Sequence, residues 1–335
     1  MVVSRWHSMF TMFVLLGLLY GCSQGMETKN ITKGEWKRLE PLLKPRSGFS
    51  AITRGSRIYV IGGVDEKGFL KECEWTTIRA DGTLEEWKPS SPLNIERAYA
   101  GVVAFNRYVY VIGGAGGRDG RPLDTVERAW IKPDGSLDEW VLEENRLTTP
   151  RFGAATIVSG GYVYAIGGYA ENPLRTVERA RINPDGSLGR WEPVGYIPKA
   201  SYMLATVKHR EHIYLIGGRT AEGASKDVFF TELEGDGSLK DWHTTEPLNT
   251  PRYGASAVVV ADRIYVGGGT ATDQTYTIEA THTGDDHSIT GWKKVLELPV
   301  KAGDALITAH NDVIYLIGGV NDKEYLPYVY ATRVY

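Results

Sequence analysis

Two columns of charge run through this sequence. Arg46, Arg97, Arg151 and Arg252 recur in step with Glu74, Glu127, Glu178 and Glu279, each glutamate following its arginine at a nearly constant interval. A ring of guanidinium groups could hold an anionic ligand, because arginine grips carboxylates through paired hydrogen bonds. The two repeats that carry Ser201 and Ala302 in place of arginine also lack the glutamate, with Phe229 and Val329 in its column. That matched loss is what Arg–Glu pairs within each repeat would leave, since a buried charge needs a partner. The pattern favours structural pairing over a ligand-facing ring.

Where the charge pattern lapses, other chemistry enters. Asp304 stands in a column that elsewhere holds small or apolar residues such as Gly153 and Gly254. Facing a central channel and desolvated, its carboxyl would have a raised pKa and could act as an acid or base; in a water-filled channel it would simply be solvated. Tyr99, Tyr202 and Tyr253 could stack beneath the apolar face of a sugar. Polar side chains for its hydroxyls would come from Arg118, Asp119, Arg121, Tyr169, Glu171, Arg219, Asp273 and Asp322. Loops are also polar because they meet water, which is the plainer reading of the same residues.

Other chemistries lack their signatures. There is no GxSxG and no HExxH, and the glycine-rich Gly114–Gly120 follows a strand pattern without opening a helix. Seven scattered histidines and two cysteines, Cys22 and Cys73, form no zinc or copper ligand spacing, so no metal or cofactor is expected. With 38 basic and 41 acidic residues, formal charge −3 and no basic run, nucleic acid is not an expected partner.

The elements that must position these residues come from an internal repeat. Gly-Gly recurs at 62–63, 113–114, 167–168, 217–218, 268–269 and 318–319, and tryptophan at Trp36, Trp87, Trp140, Trp191, Trp242 and Trp292. The period, roughly 50 residues, is that of a four-stranded repeat unit. Residues 101–105 and 108–112 read as the first two strands of one unit, residues 125–131 as the third, and the segment around Trp140 as the fourth. Alternating aromatic and β-branched residues cut by turn residues give that reading. Asp-Gly at 81–82, 134–135, 185–186 and 236–237 marks tight turns.

An arginine before the first strand, Tyr-Val-Ile-Gly-Gly after the second, glutamate in the third and tryptophan in the fourth resemble the kelch family, over roughly residues 33–335. The resemblance implies an all-β, six-bladed kelch-type β-propeller with four antiparallel strands per blade around a channel. After the last pair, Gly318-Gly319, the chain reaches Tyr335 without another tryptophan. Trp36 precedes Arg46 by the same interval as Trp87 precedes Arg97. It is therefore expected to bring the outer strand of the last blade.

Residues 1–21 read as a signal peptide: Arg5 and His7, an apolar run, then Leu19-Tyr20-Gly21-Cys22, which resembles the bacterial lipobox. Cys22 would be lipidated and residues 22–32 would form a tether, leaving Cys73 as a half-buried strand thiol. Ser23 after the cysteine resembles the outer-membrane sorting pattern, in a cell that has two membranes. The expected function is a lipid-anchored envelope module whose loop face takes a carbohydrate or an envelope protein. The alternative is enzymatic: the chain resembles, in fold and compartment, the exported sialic-acid mutarotases, which implies acid–base chemistry at a sugar's anomeric centre. A third possibility is an envelope assembly scaffold.

Overall fold

The computed structural model describes residues 30–270 and 276–335, apart from residue 118. The expected signal peptide, Cys22 and most of the tether thus lie outside the described residues. Among the described residues, six four-stranded antiparallel sheets form, and all but the last take their strands in chain order. Gly101–Phe105 and Tyr108–Ile112 are strands at the expected bounds, followed by Val126–Trp130 and Val141–Leu142.

The last sheet draws on both ends of the chain. Leu306–His310, Val313–Ile317 and Val329–Arg333 are completed by Lys37–Arg38, which pairs Lys37 with Ala331 and Arg38 with Tyr330. The beginning and the end of the described chain therefore share one sheet, as the position of Trp36 suggests. This pairing covers the outer edge of Val329–Arg333.

Side-chain bonds join neighbouring sheets at their inner ends all the way round. Ser50 Oγ donates to the Ala100 carbonyl at 2.8 Å, Thr156 Oγ1 to Val102 at 3.3 Å, and Lys208 Nζ to Ser159 Oγ at 3.3 Å. His209 Nε2 meets Asp262 Oδ1 at 2.7 Å, the Ile307 N–H donates to Ser256 Oγ at 2.6 Å, and the Thr53 and Thr308 hydroxyls stand 2.7 Å apart. The last of these closes the ring. Between each pair of sheets lies a separate apolar core, such as Tyr59, Ile61, Trp75, Val109, Val111 and Trp140 between the first and second.

The second strands carry a tyrosine that sequence patterning does not single out. Tyr59, Tyr110, Tyr164 and Tyr315 donate to the carbonyls of Gly135, Gly186, Gly237 and Gly82, the turn glycines of the next sheet, at 2.6 to 2.8 Å. Each repeat tryptophan stands just before its outer strand and not within it. Trp87 Nε1 donates to Glu40 at 3.0 Å and Trp140 Nε1 to Ser91 at 2.9 Å. Trp36 donates to the Glu297 carbonyl at 2.7 Å, yet it is only half-buried, unlike Trp87 and Trp140. Cys73 is fully buried and not half-buried as expected; burial pushes its thiol up to about 12, which leaves it inert.

Candidate functional site

The charge columns resolve first. Arg46, Arg97 and Arg252 hold Glu74, Glu127 and Glu279 at 2.7, 2.6 and 2.5 Å, and Arg151 holds Glu178 likewise. All eight side chains are at most 2 % exposed. The arginines also bind the carbonyls that end the second strand, Gly62, Gly113, Gly167 and Gly268. They are braces inside four of the six sheets and present nothing to a ligand.

The residues two places further on build the channel mouth. Gly48, Tyr99, Gly153, Met203, Gly254 and Asp304, one from each sheet, all have positive φ, between 52° and 66°. Backbone bonds link them in sequence: Tyr99 N–H to Gly48 O at 2.6 Å, Gly153 to Tyr99 at 2.8 Å, Met203 to Gly153 at 2.6 Å, and Gly254 to Met203 at 2.9 Å. Glycine alternates with a side chain around this belt for a steric reason. A Cβ on Gly48 would stand 2.8 Å from Tyr99 Cζ, and one on Gly153 would stand 2.9 Å from Met203 Cγ. Each larger residue lies over its smaller neighbour. Left-handed backbone is strained for tyrosine and methionine, and such strain gathers at functional sites.

Asp304 sits in this belt. Its Oδ2 accepts a hydrogen bond from the Tyr99 hydroxyl at 3.0 Å across the mouth. Burial pushes the carboxyl above the usual aspartate range, and the tyrosine bond only partly opposes it. The Tyr99 hydroxyl is pushed up as well, by burial and then by the carboxylate. Beneath the belt runs a cavity of about 450 Å³ lined by inner-strand residues such as Ala51, Thr156, Thr206 and Ser256, in which Asp304 is the one charged side chain among the described residues.

Beside it lies a lane of half-buried rings from three adjacent sheets. Phe152 stands 5.2 Å from Tyr169 and 6.0 Å from Tyr202, and Tyr169 stands 5.0 Å from Tyr202. Tyr99 joins at 6.4 Å from Phe152. Arg219, itself exposed, lies 5.1 Å over the Tyr253 ring, and its charge counters the rise that burial gives the Tyr202 hydroxyl.

Of the residues singled out in the sequence, Tyr99, Tyr169, Tyr202, Arg219, Tyr253 and Asp304 thus come to one end of the ring. Asp119 and Arg121 do not join the lane: they pair with each other at 3.4 Å, 68 % and 81 % exposed, on a loop whose Gly120 abuts Phe69 of the preceding sheet. Asp322 is exposed on the Asn321–Glu324 turn, near Tyr276. Arg118, Asp273 and Cys22 lie outside the described residues. Sequence reasoning missed Phe152, although its column, with Tyr202 and Tyr253, is aromatic in three consecutive repeats.

The Kelch motif family matches residues 96–128 and 150–179. Each matched segment begins beside the arginine and ends beside the glutamate of one buried pair. The chain is 26% identical over 251 residues to Kelch repeat and BTB domain-containing protein 1 of cowpox virus (strain Brighton Red), covering 75% of this chain and 42% of that protein. It is 26% identical over 303 residues to Beta-scruin of Limulus polyphemus, covering 87% of this chain and 27% of that protein. The chain therefore spans less than half the length of these relatives. Among solved structures, that of YjhT superposes with a TM-score of 0.71 at 17% sequence identity, over 87% of this chain and 95% of that one. The likeness is one of fold, a kelch-type β-propeller.

Proposed function

We propose, on the premise that the chain is an all-β kelch-repeat propeller, that it is a binding module whose channel mouth takes a carbohydrate ligand. The observation that carries the reading is the aromatic lane of Phe152, Tyr169 and Tyr202 beside Tyr253 and Arg219. Half-buried rings offer flat apolar faces for the C–H face of a sugar, while Arg219 and Asp304 offer a donor and an acceptor for its polar edge. Rigid scaffolds place such sites on the loops at one end. Residues 1–22 support export and lipid anchoring at Cys22, hence placement at the cell envelope, in the outer membrane where the cell has one. On this reading the tether keeps the propeller near the bilayer.

Retention on a panel of immobilised glycans and envelope proteins tests this. Replacing both Tyr202 and Arg219 by alanine is expected to lower retention on glycan at least about tenfold while the fold melts unchanged. Undiminished retention of the double variant would reject the mouth as the site, and retention on protein alone would replace the sugar by a protein ligand.

A second reading rests on Asp304. A carboxyl that burial pushes above the usual aspartate range, beside a hydroxyl donor, is an acid–base pair suited to interconverting the anomers of a sugar, as in the mutarotase alternative. Proton NMR of anomer exchange is then expected to show acceleration that Asp304→Asn abolishes. The same substitution should raise the melting temperature at neutral pH. The folded carboxyl lies above its unfolded value near 4, so its ionisation erodes stability as pH rises from there, and asparagine removes that loss. Asparagine also tolerates the positive φ of 53°. No acceleration for any sugar tried would remove this reading and leave the binding module standing.

A further inference from the structure

The opposite face, where the first and second strands of each sheet turn, carries a feature that the mouth does not use. Between the first and second sheets lies a pocket of about 430 Å³ lined by Arg54, Arg57, Arg107 and Lys132, with Tyr59 and Asn106. No acidic residue lines it. The side chains of Arg57, Arg107 and Lys132 have no hydrogen-bond acceptor or ion-pair partner among the described residues, and Arg54 Nη2 reaches only the Asn106 carbonyl at 3.1 Å. Asp134, which follows Pro133 in the chain, turns its carboxylate into its own loop, accepting from Ser136 N–H at 2.9 Å and from Ser136 Oγ at 2.8 Å. Arg57 and Lys132 act on it only as nearby charges.

Arg57 is the fixed member. It lies flat on Gly135 of the next sheet, so close that a Cβ there would fall 2.0 Å from its Nε, and its Cζ is 5.8 Å from the Trp75 ring. That Nε is buried without an acceptor. Of the corresponding turns elsewhere in the ring, Gly160-Gly161 carries no charge and the other three carry a carboxylate with a cation partner: Glu211 pairs with Lys208 at 3.2 Å, Asp262 with Arg210 of the preceding turn at 2.9 Å, and Asp312 with Arg333 of its own outer strand at 2.6 Å. In the first two sheets the turn pairs, Gly55-Ser56 and Asn106-Arg107, carry no carboxylate, and Arg54 and Arg57 flank the first of them.

We infer that this turn-face pocket binds a phosphate-type oxyanion, as a free phosphate ester or as the headgroup of an anionic lipid. Guanidinium groups offer parallel N–H donors to tetrahedral oxyanions, and four cations around one cavity with no carboxylate in its lining favour a group of more than one charge. The site is independent of the mouth and stands or falls without it.

The test titrates the full chain, with Cys22→Ser so that lipidation cannot hold it to membranes, against pyrophosphate at constant ionic strength. Saturable stabilisation of the melt is expected, with apparent affinity weakened about tenfold by Arg57→Gln and by Arg107→Gln. Arg107 is exposed, so its variant keeps the fold even if that of Arg57 does not. Co-sedimentation with vesicles of phosphatidylglycerol in phosphatidylcholine, lost in both variants, would assign the phosphate to a lipid headgroup; stabilisation by pyrophosphate without sedimentation would assign it to a soluble ester. No stabilisation beyond a chloride control together with no sedimentation would overturn the site, as would effects undiminished in Arg107→Gln.

Discussion

Arg97→Met is expected to destabilise the protein by about 3–5 kcal/mol, the loss typical of removing one partner from a buried ion pair. Arg97 donates to Glu127 Oε1 at 2.6 Å, to the Gly113 carbonyl at 2.7 Å, and to both the carbonyl and hydroxyl of Thr125 at 3.1 Å. Methionine fills the space but donates nothing. Glu127 then remains buried without its counter-ion, held only by the Asn94 N–H and side-chain amide at 2.7 and 2.9 Å and by the Ile95 N–H. In a domain of this size the loss lowers the melting temperature by roughly 10 °C. The double variant Arg97→Met with Glu127→Leu separates the ion pair from the brace. It should recover part of the loss, because the stranded charge is gone. It should not recover all of it, because Gly113 and Thr125 still lack their donor. A single-variant change below about 1 kcal/mol would mean that the site is solvated and the pair no brace.

These pairs are legible in the sequence itself, because arginine and glutamate vanish together from the repeats of Ser201 and Ala302. The ring itself was as legible: six Gly-Gly pairs and six tryptophans, one of them at the wrong end of the chain, require Trp36 to complete the last sheet. Asp304 stood out by breaking its column.

The mouth was legible only in part. Positive φ at Gly48, Gly153 and Gly254 can be suspected from glycine, but nothing about tyrosine, methionine or aspartate announces that Tyr99, Met203 and Asp304 share it. The belt follows from a steric relation between adjacent sheets, hence between residues a whole repeat apart. Phe152 was hidden by its neighbours, since its column also holds Ser47, Ala98 and Gly303. Asp119 and Arg121 looked like site residues because their loop is long and polar, yet they satisfy one another in solvent. The basic pocket of the turn face could not be read from sequence either. Its signal is the absence of counter-charge in space, and Arg57 and Lys132 look ordinary one at a time.

Deletion of residues 31–41 is expected to be the most damaging small change outside the buried pairs. It removes Ile31, which is 2 % exposed, and the half-buried Trp36 and Leu39, worth together roughly 5 kcal/mol of apolar burial. It also strips acceptors and donors from retained groups. Trp87 Nε1 loses the Glu40 carbonyl, Arg333 Nε loses the Ile31 carbonyl at 3.0 Å, and the Val329 carbonyl loses the Leu39 N–H at 2.8 Å. Above all it bares the outer edge of Val329–Arg333 and removes one strand of the sheet that draws on both ends of the chain, leaving only contacts such as Thr53–Thr308 and Tyr315–Gly82 to hold the last sheet to the first. The channel mouth, with Tyr99 bonded to Asp304 across the sheet that bears Gly48, exists only while that ring is shut.

The calorimetric melt of this deletion therefore bears on everything proposed for the mouth. The account predicts a transition lowered by more than about 10 °C, or the loss of a single cooperative transition. An unchanged melting temperature would mean that the leading segment does not close the ring, and the mouth would then need another explanation.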